Sequence, residues 1–156
     1  MTPLLLLLGA FTAMEGVSYA AHRWVMHGPG MGWHRSHHAP PAAPFEPNDR
    51  FPLCFSVVGF LLLLFASLGV DPLWWIGAGV TAYGAAYLFV HEVYIHRRLS
   101  VPLPRLRYLE WLRASHGHHH ADGGEPYGML LPLVRGGASS REQSRDLLDR
   151  RVPTSP

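Results

Sequence analysis

From Phe51 to Val90 the chain runs for forty residues with a single charged residue, Asp71, and that acid is followed at once by Pro72. A charge-free run of this kind is stable in water only if it is buried on all sides, which a chain of 156 residues has little material to achieve. In a bilayer the same run is the expected solution, because about 20 mostly apolar residues cross the hydrocarbon core as a helix. Asp71-Pro72 divides the run into Phe51 to Val70 and Leu73 to Val90, two spans joined by a turn too short for anything but an antiparallel hairpin. A third apolar stretch, Pro3 to Ala21, precedes them. Its opening Leu4 to Leu8 has no basic residue before it and no small-residue cleavage site after it, so it reads as part of a retained helix. The fold class is therefore all-α: an integral membrane bundle of three spans, or four if Val101 to Arg113 or the apolar Tyr127 to Val134 also inserts. Val101 to Arg113 reads as an amphipathic interfacial helix, and the polar residues from about Arg141 onward as a disordered tail.

If the first span ends on one membrane face, the hairpin leaves that face and returns to it. Ala21, Phe51 and Val90 then share a surface. The charges agree: all thirteen basic residues are arginine, of which Arg23, Arg35 and Arg50 lie in the first connection and the other ten follow the third span. By the positive-inside rule the N-terminus is external, while the first connection and the C-terminal third are cytoplasmic. The net charge of +2 thus reports topology rather than a nucleic-acid partner. Trp74 and Trp75 suit the aromatic belt of the opposite interface, and small residues at helical spacing (Ala78, Ala82, Ala86) permit close helix packing.

Ten of the eleven histidines fall into four clusters at the shared surface. His22 and His27 form an HX4H, His34, His37 and His38 an HX2HH, His91 and His96 a second HX4H, and His116, His119 and His120 a second HX2HH, with His118 a bystander. In HX2HH the imidazoles at i, i+3 and i+4 share a helix face. In HX4H they stand roughly 140° apart on an ideal helix, so either the turn is frayed or bulged, or each histidine of the pair serves a different metal. Cys54 is the only cysteine, which leaves nitrogen and oxygen ligands. Imidazole suits zinc, copper, nickel and iron alike. Ten ligands exceed the four of one structural zinc and imply two ions, and imidazole-rich iron pairs leave positions open to dioxygen. A histidine-rich metal transporter or store is the rival of another class, although transport predicts ligands at mid-membrane depth.

Around the ligands, Glu46, Asn48, Asp49, Glu92 and Asp122 are candidates to accept the second N–H of a metal-bound imidazole; Asn48 and Asp49 also suit capping of the helix near Phe51. Glu15 is the one acid inside a span, two turns deeper than His22, where it either hydrogen-bonds within the bundle or approaches a substrate path. Tyr83 lines the same cavity or packs as an ordinary aromatic.

These residues carry a resemblance. Met14-Glu15-Gly16, HRWVMHG from His22, WHRSHHAP from Trp33, FEPND from Phe45, Thr81 to Gly84 leading into His91, and His116 to Ala121 together resemble the bacterial non-haem di-iron β-carotene hydroxylases, within the wider fatty acid hydroxylase and sterol desaturase superfamily. The pairing of HGxGxxWH with FExND is the most specific part. The sequence departs from the family in reading His91-Glu92-Val93, where the family has His-Asp-Gly, and in carrying His118, which bears on ring specificity rather than on ligation. The chain reads as a membrane domain over residues 1–140 with a polar tail over 141–156, and the resemblance, which runs from roughly Met14 to Gly128, implies two iron ions, dioxygen as co-substrate, and hydroxylation of the β-ionone ring of β-carotene at C3, through cryptoxanthin to zeaxanthin. It also implies a carotenoid drawn from the membrane lipids and a ferredoxin-type or NAD(P)H-linked electron donor, the whole lying in a bacterial inner membrane. A sterol, fatty acyl chain or other carotenoid is the alternative substrate.

Overall fold

The computed structural model describes residues 2–39 and 43–132. Among these it contains five α-helices and no strand: α1 (Pro3–Ala20), α2 (Met31–His34), α3 (Arg50–Ser67), α4 (Pro72–Tyr87) and α5 (Arg107–Asp122). Proline stands in the first turn of both α1 and α4, where its missing N–H costs nothing. Counted with the turns that extend them, three continuous helical stretches are long and apolar enough to cross a membrane: Pro3–Met26, Pro47–Ser67 and Pro72–Ile95, of 24, 21 and 24 residues. At 1.5 Å per residue each reaches across a core of about 30 Å. The protein is a three-span membrane protein in its described part. Residues 141–156, expected to form a polar tail, lie outside the described residues.

α4 packs between α1 and α3. The approach to α1 is closest at Gly79, where a Cβ would stand 2.9 Å from Ala10 Cβ and 3.1 Å from the Phe11 nitrogen and would meet the Leu7 carbonyl. Small residues thus serve helix contact in α4 at Gly79 against α1 and at Gly77 against Leu63 of α3, rather than along Ala78, Ala82 and Ala86, of which Ala82 is exposed. Tyr83, on the same helix, is buried against Phe11 with ring centroids 5.6 Å apart.

Two helices change pitch where they leave the bundle. α1 continues into a π-helical turn, Ala21–Met26, and α4 into a longer one, Leu88–Ile95. In these turns the His27 N–H donates to the His22 carbonyl at 3.0 Å and the His96 N–H to the His91 carbonyl at 2.9 Å, both bonds spanning five residues. The wider turn stacks residues i and i+5 on one face, which resolves the HX4H spacing in favour of a bulged turn.

The connections correct two expectations. The helix expected over Val101 to Arg113 begins only at Arg107, because Pro102 and Pro104 hold the preceding stretch out of helical geometry, and Leu106 enters the helix extended. It then runs on through the last histidine cluster to Asp122, where Gly123 caps it at φ +68°. Residues 127–132 form no helix and add no fourth span; they fold over α1 beside Glu15.

Candidate metal centre

All ten clustered histidines converge at one end of the bundle. Two sets of four, His22 with His27, His34 and His119, and His37 with His96, His116 and His120, each present one ring nitrogen within 4.8 Å of the others. His38 joins the first through a 3.1 Å approach of its Nε2 to that of His34, and His91 joins the second at 3.1 Å from His37 Nε2. Each HX4H pair thus stays together. Each HX2HH divides: its i and i+4 members enter one group and its i+3 member, His37 or His119, enters the other. The two groups are interlocked, and neither forms without residues from both the first connection and α5.

Gly30 makes room for this within the HGxGxxWH segment, since a Cβ there would stand 2.7 Å from the Phe51 ring and 2.8 Å from the Val25 carbonyl. The chain can reverse directly after the π turn and bring His34 back onto His22, ring centroids 4.9 Å apart.

The hydrogen bonds on the far side of the rings decide what the near side can hold. His22 Nδ1 lies 2.9 Å from the Tyr127 carbonyl, His34 Nδ1 2.8 Å from Asn48 Oδ1, His119 Nδ1 2.5 Å from the Gly124 carbonyl and His91 Nδ1 2.6 Å from a Glu92 carboxylate oxygen. Those oxygens only accept, so Nδ1 carries the proton in each neutral ring and Nε2 carries the lone pair. His22 and His34 then face each other, lone pair to lone pair, across 3.1 Å. No proton remains to bridge them. A cation between the rings is what satisfies such a set, and ten nitrogen donors in two adjoining groups fit two transition-metal ions, compatible with a non-haem di-iron centre.

Burial keeps these rings ready for metal. Outside the spans it lowers the pKa of His27, His34, His96 and His119 to about 4 and of His120 to about 3, and holds that of His116 well below its ordinary value, with neighbouring imidazoles adding to the effect. Because these values lie below the ordinary 6.5, the unfolded chain binds more protons than the folded one as pH falls. Stability is complete above about pH 6.5 and is lost progressively toward pH 4. Thermal unfolding of the metal-depleted protein in detergent should show a midpoint that is level above about pH 6.5 and falls steadily from there to about pH 4.5; a midpoint unchanged across that range contradicts the assignment.

The other candidates separate cleanly. Asn48 and Glu92 touch imidazoles directly, as above. Glu46 and Asp49 form a reciprocal capping box at the start of the second span, with the Glu46 N–H donating to Asp49 Oδ2 at 2.9 Å. Glu46 is therefore a capping residue, and Asp49 reaches His91 only through Arg98, which donates to Asp49 at 2.7 Å and to Glu92 at 2.9 Å. Asp122 is exposed at the end of α5 and makes none of the side-chain contacts found among the described residues, so it is no imidazole partner. His118 lies outside both groups, its Nε2 buried with no hydrogen-bond partner among the described residues. The sequence reading missed Arg98 and the carbonyls of Gly124 and Tyr127. Main-chain acceptors leave no mark in residue type; Arg98, two residues after a ligand, was visible but indistinguishable from the other interfacial arginines.

An apolar cavity of ≈ 430 Å³ lies among α1, α3 and α4, lined by Phe55, Leu63, Tyr83 and Gly84, and toward the histidines by Met26 and Tyr87. The Tyr87 ring stacks on His91, centroids 4.9 Å apart and planes 22° from parallel, and Met26 immediately precedes His27. The cavity thus borders the second group through the Tyr87 ring, and its Met26 wall leads along the chain into the first.

Fold and site together define a membrane-embedded helical protein with two interlocked imidazole groups beside an apolar cavity. The chain belongs to the fatty acid hydroxylase family, whose sequence model matches residues 7–134. It is similar to the β-carotene hydroxylase of Pantoea ananas, 42% identical over 137 residues that cover 83% of this chain and 78% of that one. The β-carotene hydroxylase of Pseudescherichia vulneris is 42% identical over 118 residues, 75% of this chain and 67% of that one. The chloroplastic β-carotene 3-hydroxylase 1 of Arabidopsis thaliana is 38% identical over 131 residues, 80% of this chain and 42% of that one. No solved structure matches the chain.

Proposed function

We propose that the protein is a membrane di-iron monooxygenase that hydroxylates the β-ionone ring of β-carotene at C3, giving cryptoxanthin and then zeaxanthin. The observation that carries this reading is the apolar cavity among the three spans, whose wall residue Tyr87 stacks on His91 of one of the two imidazole groups. One ion would be held by His22, His27, His34, His38 and His119, the other by His37, His91, His96, His116 and His120. When bound, the iron pair supplies two-electron activation of dioxygen, in the balance R–H + O2 + 2e⁻ + 2H⁺ → R–OH + H2O.

The chain's own residues do the rest. Asn48, Glu92 and the carbonyls of Gly124 and Tyr127 fix the ring tautomers that expose the lone pairs. The apolar walls take the ring of a carotenoid out of the lipid and leave its polyene in the bilayer, while Tyr87 and Met26 hold the ring end beside the ligands and exclude water. Residues 1–140 would form this hydroxylase domain. The arginines support placing the histidine end and the C-terminus in the cytoplasm and the N-terminus outside, in a bacterial inner membrane. A ferredoxin-type or NAD(P)H-linked donor would deliver electrons from that side. Expression of the chain with a competent donor in a bacterium accumulating β-carotene should convert the pigment to zeaxanthin, with cryptoxanthin on the way, as read by chromatography. Unchanged β-carotene beside a working donor would overturn the substrate assignment.

A further inference from the structure

We propose that Glu15, inside the first span, is a positioning residue for the metal of one group only, that of His22, His27, His34, His38 and His119. The inference rests on the two-metal reading above.

An acid within a membrane span survives only with its oxygens fully engaged, and those of Glu15 are. Oε1 accepts from the N–H groups of Met129 at 2.9 Å, Leu130 at 3.1 Å and Leu131 at 2.9 Å, and Oε2 from the Tyr83 hydroxyl at 2.7 Å and again from Leu130 at 3.1 Å. One carboxylate therefore gathers three successive main-chain donors of a stretch without helix. Left in an apolar surrounding these would each need another acceptor.

The same stretch supplies the oxygens that orient two histidines. Its Gly124 carbonyl takes the His119 Nδ1–H and its Tyr127 carbonyl takes the His22 Nδ1–H. A second clamp holds it nearer the surface, where Tyr19 donates to Glu125 at 2.9 Å and Arg23 at 2.5 Å. Glu15, Tyr19 and Arg23 recur every fourth residue along α1 and its π turn, so one helix face docks the whole segment. Gly128 lets the backbone close over the acid; a Cβ there would lie 3.0 Å from Glu15 Oε1 and would meet the Leu131 carbonyl.

Both oriented histidines belong to the same group. In the other group the corresponding anchor is Glu92 on His91, tied to Arg98 and Asp49, and it has no bond to this segment among the described residues. Loss of Glu15 should therefore loosen one metal and spare the other.

The test is a cobalt(II) titration of the full-length, metal-depleted protein in detergent, followed by the visible d–d absorption and by metal counting. Wild type should take up two ions per chain. Glu15→Ala should keep one site at wild-type affinity and weaken the other by at least about tenfold, the lower end for loss of a ligand's orienting partner. Gly128→Ala, which leaves the acid in place but displaces the segment, should do the same. Glu15→Gln, whose amide oxygen still accepts main-chain N–H groups, should recover most of the lost affinity. The retained site reports that each variant is folded. Two sites of unchanged affinity in Glu15→Ala, or both weakened alike, would overturn the positioning role while leaving the two-metal reading intact. A wild-type chain that takes up no metal would instead overturn that reading, and this proposal with it.

Discussion

If the proposed di-iron function holds, replacing His37 with alanine should lower hydroxylation by at least about 100-fold and reduce the bound iron from two ions per chain to one. The magnitude follows from the ring's position. His37 comes from the first connection but lies in the group built mostly from the second half of the chain, with its Nε2 3.1 Å from that of His91, 3.0 Å from His120 and 3.3 Å from His116. It is 8% exposed, so water cannot readily replace the lost nitrogen. Removing even an indirect partner of a metal ligand costs about 10–100-fold, and loss of the ligand itself belongs at or beyond the upper end. His118→Ala is the matched comparison, a histidine in the same α5 cluster as His116 but outside both groups, and should leave activity and iron content unchanged. Zeaxanthin yield in cells accumulating β-carotene, read beside iron per purified chain, measures both. Near-wild-type conversion by His37→Ala would remove this residue from the centre.

The sequence was most informative where the physics is local. Forty residues with one charge admit few structures, and the membrane hairpin they predict is present. Residue type also marked all ten histidines that meet at the bundle end. What it left open was pairing, because the HX4H interval is awkward on an α-helix and natural on a π turn, and the choice between them is made by main-chain bonds such as His27 N–H to the His22 carbonyl. The crossing of His37 and His119 between groups is likewise a property of how the first connection meets α5, not of either spacing. Glu46 and Asp49 show the opposite error. An acid near a histidine cluster is as well suited to a helix start as to an imidazole, and here the capping box claims Glu46. Glu15 was conspicuous as a lone acid in a span, but its main-chain partners lie 114 to 116 residues away on backbone nitrogens, beyond the reach of any local pattern.

Gly84 sets the largest expected effect outside the histidines. A Cβ built there meets no atom within 4 Å, and the residue lines the cavity between Tyr83 and the histidine end. A side chain at this position projects into space that the proposed function assigns to the substrate ring, so Gly84→Phe should fill much of the ≈ 430 Å³ and exclude it. A misfit of only a methylene in an apolar pocket costs about 10–200-fold in specificity, and a phenyl group is a larger intrusion; a loss of β-carotene turnover of at least about tenfold is expected. Gly84→Ala should cost far less, because a methyl group makes no clash and leaves most of the volume open. The variant touches no ligand, and its iron content should stay at two per chain. That separation makes the outcome decisive: lost turnover with full iron places the ring in the cavity, whereas full turnover by Gly84→Phe means that the substrate reaches the histidines by another route.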